Sequence, residues 1–250
     1  MSAPSVAVVT GGSKGIGLAI ARDLARRGMG VVIADIADAD VSARLLRDEG
    51  FDVCGFSADV SDPDQVEALM AFAEAQWGQV NALVNNAGVY SSLTPTGFES
   101  LTAADWRKVL DVNVTGLFLC CKAAMPAFRR AGSGSIVNIS SGVAFKGNPL
   151  MAHYVASKGA VISLTRALAT ECGADHVRVN SVAPGFTLSD GVLENPSLVD
   201  GVKGPSLRGR VMSRDMVADD LVGAVAFFTG PDSAFITGQT LVVDGGSYFH

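Results

Sequence analysis

The sequence predicts an α/β fold: a doubly wound parallel sheet of about seven strands, in one domain spanning 1–250. Three observations lead there. Short unbroken apolar runs, such as VAVV at 6–9, lack the alternation of a half-exposed strand and suit parallel strands covered on both faces. Stretches of helical apolar spacing separate these runs at a steady rhythm, which is how β–α–β crossovers read in sequence. The first run passes into a glycine-rich turn that opens a helix. A chain of 250 residues with 48% hydrophobic content is long enough to bury the core such a sheet needs.

After the strand at 6–9 come Thr10-Gly11-Gly12-Ser13-Lys14-Gly15-Ile16-Gly17 and a helical pattern running to Gly28. Glycines let the backbone approach a pyrophosphate, and the helix start offers unpaired N–H groups and a positive dipole end. The spacing G-x-x-x-G-x-G is neither the general G-x-G-x-x-G fingerprint nor a P-loop. A second strand at 30–35 ends in Asp35, eighteen residues beyond Gly17, where a carboxylate would accept hydrogen bonds from an adenosine ribose. It would also repel a 2′-phosphate, because like charges about 4 Å apart at a protein surface repel by several kcal/mol. Asp35 therefore argues for NAD over NADP, while Lys14 in the turn pulls the other way.

A helix at 41–49 and a third strand at 51–57 follow, closed by Asp59-Val60, where a side chain could meet an adenine edge. Ser61-Asp62-Pro63 reads as an N-cap with an early proline, starting a helix to Trp77. The fourth strand, 82–84, runs into Asn85-Asn86-Ala87-Gly88, whose amides either knit strand ends together or flank a bound cofactor. Residues 101–130 read as largely helical, with Asn113 in an apolar context where a polar group needs partners. Satisfying backbone groups at a helix distortion and holding a catalytic water are compatible roles for it. A fifth strand at 136–139 ends in Ser140-Ser141, and a sixth at 177–182 leads to Ala183-Pro184-Gly185-Phe186-Thr187. The strip 189–214 holds four glycines and two prolines without strong periodicity, so it reads as an irregular lid or binding loop. A last helix at 216–229 and a last strand at 239–243 precede Asp244-Gly245-Gly246.

Chemistry concentrates at 135–165. Tyr154 and Lys158 are four apart on a helical pattern and so share one face. A neighbouring ammonium favours phenolate and lowers a phenol pKa that is about 10 when unperturbed. Ser141, thirteen residues earlier at a strand end, could reach the same point and donate a hydrogen bond. The net charge of -6 argues against a nucleic-acid surface. No apolar run reads as a membrane span, and the amino terminus runs straight into a strand, so a cytoplasmic protein is expected. Cys54, Cys120, Cys121 and Cys172 lack metal-ligand spacing and read as reduced core residues. With histidines only at 153, 176 and 250, no metal site is expected.

Taken together, T10-G11-(x3)-G15-I16-G17, Asp35, Asp59-Val60, N85-N86-A87-G88, Asn113, Ser141, Y154-(x3)-K158, Pro184-Gly185 and D244-G245-G246 resemble the short-chain dehydrogenase/reductase family across the whole chain. The resemblance implies a Rossmann-type sheet and a nicotinamide cofactor, NAD on the strength of Asp35. It implies that Tyr154 is the general acid/base, that Lys158 lowers its pKa and holds the nicotinamide ribose, and that Ser141 holds the substrate oxygen. Asn113 would hold a water linking Lys158 to solvent. Cofactor contacts would come from Gly11, Ser13, Lys14, Gly15, Ile16, Gly17, Asp35, Ile36, Asp59, Val60, Asn86, Ala87, Gly88, Tyr154, Lys158, Pro184, Gly185, Thr187 and Ser189. A mostly apolar substrate pocket would draw on Val143, Phe145, Leu150, Met151, His153, Phe186 and Val192, although His153 also suits a surface position at a helix start. The chain is similar both to NAD-dependent 1-phenylethanol-type secondary-alcohol dehydrogenases and to 3-oxoacyl-carrier-protein reductases, which commonly use NADP. For the latter, Lys203, Arg208, Arg210 and Arg214 would form a basic patch toward an acidic carrier protein. Enoyl reductases separate their Tyr and Lys by six residues, unlike this chain, and the intact triplet argues against a silent NAD-binding protein. Family members are usually homotetramers.

Overall fold

A computed structural model describes residues 5–249. Seven parallel strands form one sheet in the order β3-β2-β1-β4-β5-β6-β9: β1 (Val6–Thr10), β2 (Gly30–Asp35), β3 (Val53–Ser57), β4 (Ala82–Asn85), β5 (Gly134–Ile139), β6 (Val177–Pro184) and β9 (Thr240–Val243). Two further short strands, β7 (Thr187–Leu188) and β8 (Met216–Val217), pair with each other outside it. Helices α1 (Gly15–Arg26), α2 (Ala39–Asp48) and α10 (Asp219–Thr229) cover one face. Helices α3 (Pro63–Trp77), α5 (Leu117–Ala131) and α7 (Ala152–Cys172) cover the other, with α4 (Ala103–Leu110) against α7.

The central strands are buried on both sides, as their unbroken apolar runs require. Ala7 and Val9 face α1 while Val8 faces α3 and α5. Helix ends follow local chemistry. The Asp62 side chain accepts from the Asp64 and Gln65 N–H groups with Pro63 in the first turn, so α3 starts where its cap and proline allow. Thr102 and Asp105 form a reciprocal capping box at the start of α4. On α7 the buried positions 154, 157, 158, 161, 162, 165, 169 and 172 recur every three or four residues, which turns Tyr154 and Lys158 inward together.

Strand order reverses between β1 and β4, because the chain adds β2 and β3 on one side and then returns to the other. The carboxyl ends at that switch point leave a crevice, where open sheets of this kind bind ligands. A row of buried amides and hydroxyls underlies the crevice. Asn85 Nδ2 donates to Asn138 Oδ1 at 2.9 Å, and Asn138 Nδ2 donates to Thr165 Oγ1 at 2.9 Å.

Two expectations need correction. Within 189–214 the structure has helices α8 (Asp190–Leu193) and α9 (Pro196–Arg208), not an irregular loop. Periodicity was faint because Leu198 is the one fully buried residue of α9 and Pro205 lies inside it. The last helix starts at Asp219 rather than 216, since Met216 and Val217 form β8. By length and composition Ala103–Ala131 could cross a bilayer. It is broken by a π-helical turn, Asp111–Gly116, and its residues Leu117, Cys120, Cys121, Ala124 and Phe128 pack into the core against the sheet.

Candidate active site

One cavity of about 740 Å³ runs from the glycine turn to the lid helices. At its cofactor-facing end the glycines are there for space. A Cβ on Gly11, whose φ is +61°, would sit 2.7 Å from the Ala87 Cα, and one on Gly17 would collide with the Gly11 carbonyl oxygen. Asn86 Nδ2 donates to the Thr10 and Gly11 carbonyls at 3.1 and 2.8 Å, so this amide both knits strand ends and lines the cavity. Asn85 only knits. Asp35, at the end of β2, accepts from the Ser13 N–H at 3.1 Å and reaches the cavity wall beside exposed Ile36. Ser13 itself is turned to the Ala37 carbonyl at 2.8 Å and does not line the cavity.

Two acids of the lid sit on the glycine turn. Asp190 Oδ2 accepts from the Gly15 N–H at 3.2 Å, and Glu194 pairs with Lys14 at 3.3 Å. A carboxylate on the first amide of α1 is a stand-in anion, and it shows that this helix start takes negative charge. With the glycine cradle, that observation fits a dinucleotide pyrophosphate.

The chemical end is built from β5, α7 and the π-helical turn. Ser140 Oγ donates to the Lys158 carbonyl at 2.8 Å and is used in fastening β5 to α7. Ser141, the next residue, is left to line the cavity with Tyr154, whose pKa it pulls down. Lys158 Nζ lies 5.8 Å from the Tyr154 ring centroid and donates to the Ile139 carbonyl at 2.8 Å, so two of its three hydrogens stay available. Asn113 accepts from the Val89 N–H at 2.7 Å and donates to Ser157 Oγ at 3.1 Å. The widened π-helical turn delivers its amide to this place, and a Cβ on Gly88 would lie 3.3 Å from Asn113 Oδ1 and 3.6 Å from Lys158 Nζ.

Electrostatics differ from the expectation. Burial pushes the Tyr154 phenol above its ordinary value, neighbouring Tyr90 pushes the same way, and the Ser141 hydrogen bond only partly offsets them. Lys158 is pulled down to about 8 by burial and is not among the groups that move the tyrosine.

Of the expected cofactor-facing residues, Gly11, Lys14, Gly15, Ile16, Gly17, Asp35, Ile36, Asp59, Val60, Asn86, Ala87, Gly88, Tyr154, Lys158, Pro184, Gly185, Thr187 and Ser189 line the cavity. Val143, Leu150, Met151, Phe186 and Val192 line its far end. Two do not. Phe145 stacks on Tyr248 with ring centroids 5.1 Å apart, and His153 is buried at 2% exposure away from the cavity, neither substrate contact nor surface residue. A histidine one place before an inward tyrosine on α7 also turns inward, on the α4 side.

Tyr90, Ser91, Pro95, Lys146, Asn148, Val202, Pro205, Ser206 and Asp244 were missed. Most come from loops and from helix α9, which periodicity did not reveal; Asp244 opens the D244-G245-G246 motif and Tyr90 lies directly after Asn85-Asn86-Ala87-Gly88-Val89, so these two had a motif to flag them. The basic patch dissolves on inspection. Lys203 pairs with Asp215, Arg214 with Asp220, and Arg210 is buried against the Phe186 carbonyl, which leaves Arg208 exposed. All four cysteines are free, and three are buried. Among the described residues no group of His, Cys, Asp or Glu is placed to hold a metal ion; position 250 lies outside them.

Comparison with known proteins agrees with this geometry. The family model described as enoyl-(acyl carrier protein) reductase matches residues 11–248. The cis-4-hydroxycyclohexanecarboxylate dehydrogenase of Sinomonas cyclohexanicum is 40% identical over 98% of this chain and 96% of its own length. The 2-(S)-hydroxypropyl-CoM dehydrogenase 3 of Xanthobacter autotrophicus is 37% identical, covering 96% and 95%. A 3-oxoacyl-[acyl-carrier-protein] reductase of Staphylococcus aureus is 36% identical, covering 97% of each. End-to-end matches at these identities, around a Ser–Tyr–Lys site on a seven-stranded parallel sheet, place the chain in the short-chain dehydrogenase/reductase family of nicotinamide-dependent oxidoreductases.

Proposed function

We propose that this enzyme transfers hydride between NAD(H) and a hydrophobic secondary alcohol or ketone. The observation that carries it is that Ser141, Tyr154 and Lys158 come together on the wall of one cavity whose far end is mainly apolar. Bound NAD(H) supplies the hydride acceptor or donor. The glycine turn and the α1 start would hold its pyrophosphate, Asp35 the adenosine ribose, and the spare Lys158 hydrogens the other ribose. In ketone reduction Tyr154 gives its proton to the substrate oxygen while Ser141 holds that oxygen; in alcohol oxidation Tyr154 takes the hydroxyl proton. Asn113 positions the Lys158 end of the relay through Val89 and Ser157.

Asp35 supports NAD, since its carboxylate stands at the ribose end of the cavity. The relatives named as dehydrogenases of hydroxyl-bearing substrates support the alcohol/ketone part of this reading, and the apolar residues at the far end of the cavity support its hydrophobic part. A second reading, an NADP-dependent 3-oxoacyl-carrier-protein reductase, rests on the Staphylococcus aureus relative, and the neutralised basic patch weakens it. A spectrophotometric screen separates them: hydrophobic secondary alcohols with NAD, and ketones and 3-oxoacyl thioesters with NADH and NADPH. Activity confined to 3-oxoacyl thioesters with NADPH refutes the first reading. The free cysteines support a reducing, cytoplasmic setting. A homotetramer is proposed from family habit, and light scattering should give about four times 25.7 kDa.

A further inference from the structure

Tyr154 does not stand alone in the wall. A small apolar cluster, separate from the two main cores, gathers Met151, Tyr154 and Leu198 with Tyr90, Leu93 and Val202 around them. The Tyr90 and Tyr154 rings lie with centroids 4.7 Å apart at 35°, a tilted contact within the favourable range for aromatic pairs. Leu198, fully buried, closes the cluster from α9, and Asn195 at the start of that helix donates to the Ser91 and Leu93 carbonyls at 2.7 and 3.1 Å. The loop after β4 that carries Tyr90 is thus fastened on one side to the lid and on the other to the acid–base ring.

We propose that Tyr90 is a positioning residue for the reaction: its ring blocks the swing of Tyr154 about its first side-chain torsion and so holds the Tyr154 hydroxyl beside Ser141. This rests on the dehydrogenase reading above. The phenol oxygen lies on the axis of the second side-chain torsion, so only the first moves it, and a ring packed against one face holds that first torsion in one staggered well. On α7 itself Lys158 touches the ring only at 5.8 Å, and α9 presents Leu198 and Val202, which fill space without a flat face. Tyr90 offers the flat face. Its hydroxyl, kept neutral by burial that raises its pKa to about 12, lets the ring sit there without charge. The ring, rather than the hydroxyl, performs the role.

The test uses full-length Tyr90→Ala and Tyr90→Phe beside wild type and Tyr154→Phe, on an alcohol accepted by wild type with saturating NAD. Tyr90→Ala should lose roughly tenfold to hundredfold in kcat, the scale set by small misplacements of reacting groups, with its dissociation constant for NADH unchanged. Tyr90→Phe should restore kcat to near wild type. A crystal structure of Tyr90→Ala, which needs no substrate, should show the Tyr154 hydroxyl parted from Ser141. The proposal falls if Tyr90→Ala keeps its kcat and only raises KM, if Tyr90→Phe is as slow as Tyr90→Ala, or if the Tyr154 ring is unmoved. Retained turnover in Tyr154→Phe would instead sink the dehydrogenase reading.

Discussion

Tyr154 and Lys158 are both pressed toward neutrality by burial, and opposite consequences follow for the two directions of reaction. A neutral phenol is ready to give a proton, so ketone reduction should proceed well near neutral pH. Alcohol oxidation needs phenolate, and burial holds the phenol above its ordinary value of about 10, so the oxidation rate should climb from about pH 7 through about pH 10 without levelling off. Paired pH–rate profiles check this, and an oxidation rate that falls across that window contradicts it. Tyr154→Phe should lose at least roughly 10²–10⁴ in turnover. Asp35→Ala should raise NADP use relative to NAD in kcat/KM, because it removes the charge a 2′-phosphate would meet. Lys158 also carries a stability prediction. Its pKa falls from 10.5 to about 8 on folding, so between those values the unfolded chain holds more protons and stability rises with pH. At neutral pH its burial costs about 3 kcal/mol, from roughly 1.4 kcal/mol per pKa unit. Lys158→Met should therefore melt higher than wild type at pH 7 by calorimetry while losing activity. A four-residue helical step put Tyr154 and Lys158 on one face and a strand end put Ser141 within reach, while the choice of Ser141 over Ser140 and the three roles came from the family resemblance. Tyr90, Lys146 and Asn148 carry no period, so only the folded loops bring them to the cavity.

At the scale of elements, the π-helical turn and the lid helix matter most. A partner-hungry Asn113 inside an apolar stretch was legible as a helix distortion, and Asp111–Gly116 is that distortion. Asn113→Ala would leave the Val89 N–H without its 2.7 Å acceptor, a buried loss of about 1–3 kcal/mol. Chemical denaturation should show it alongside lost turnover. The lid helix α9 was not legible. A helix that buries Leu198 and little else, with a proline within, shows no stripe to read. Leu198→Ala should loosen this segment without unfolding the sheet, so limited proteolysis should cut first within 189–209. Equal protection in variant and wild type would show that Leu198 does not hold the lid.

Across the whole molecule, the sheet was readable because its central strands β1, β2, β4, β5 and β6 are buried on both faces, which leaves an unbroken apolar signature, whereas the edge strands β3 and β9 are only partly buried. The short pair β7–β8 has no such signature, as Val217 is 45% exposed. The switch between β1 and β4 follows from strand order, and strand order is not written in local sequence. It emerges in the folded sheet, where β1 pairs with β2 on one side and with β4 on the other.

The Asp190 carboxylate resting on the Gly15 amide has one more consequence. Dinucleotide capture here is an exchange of one anion for another, so the measured affinity is a difference between two occupants of the same seat. Emptying that seat in advance, with Asp190→Ala, should tighten NADH in a fluorescence titration and slow the closing of the segment that Asp190 anchors.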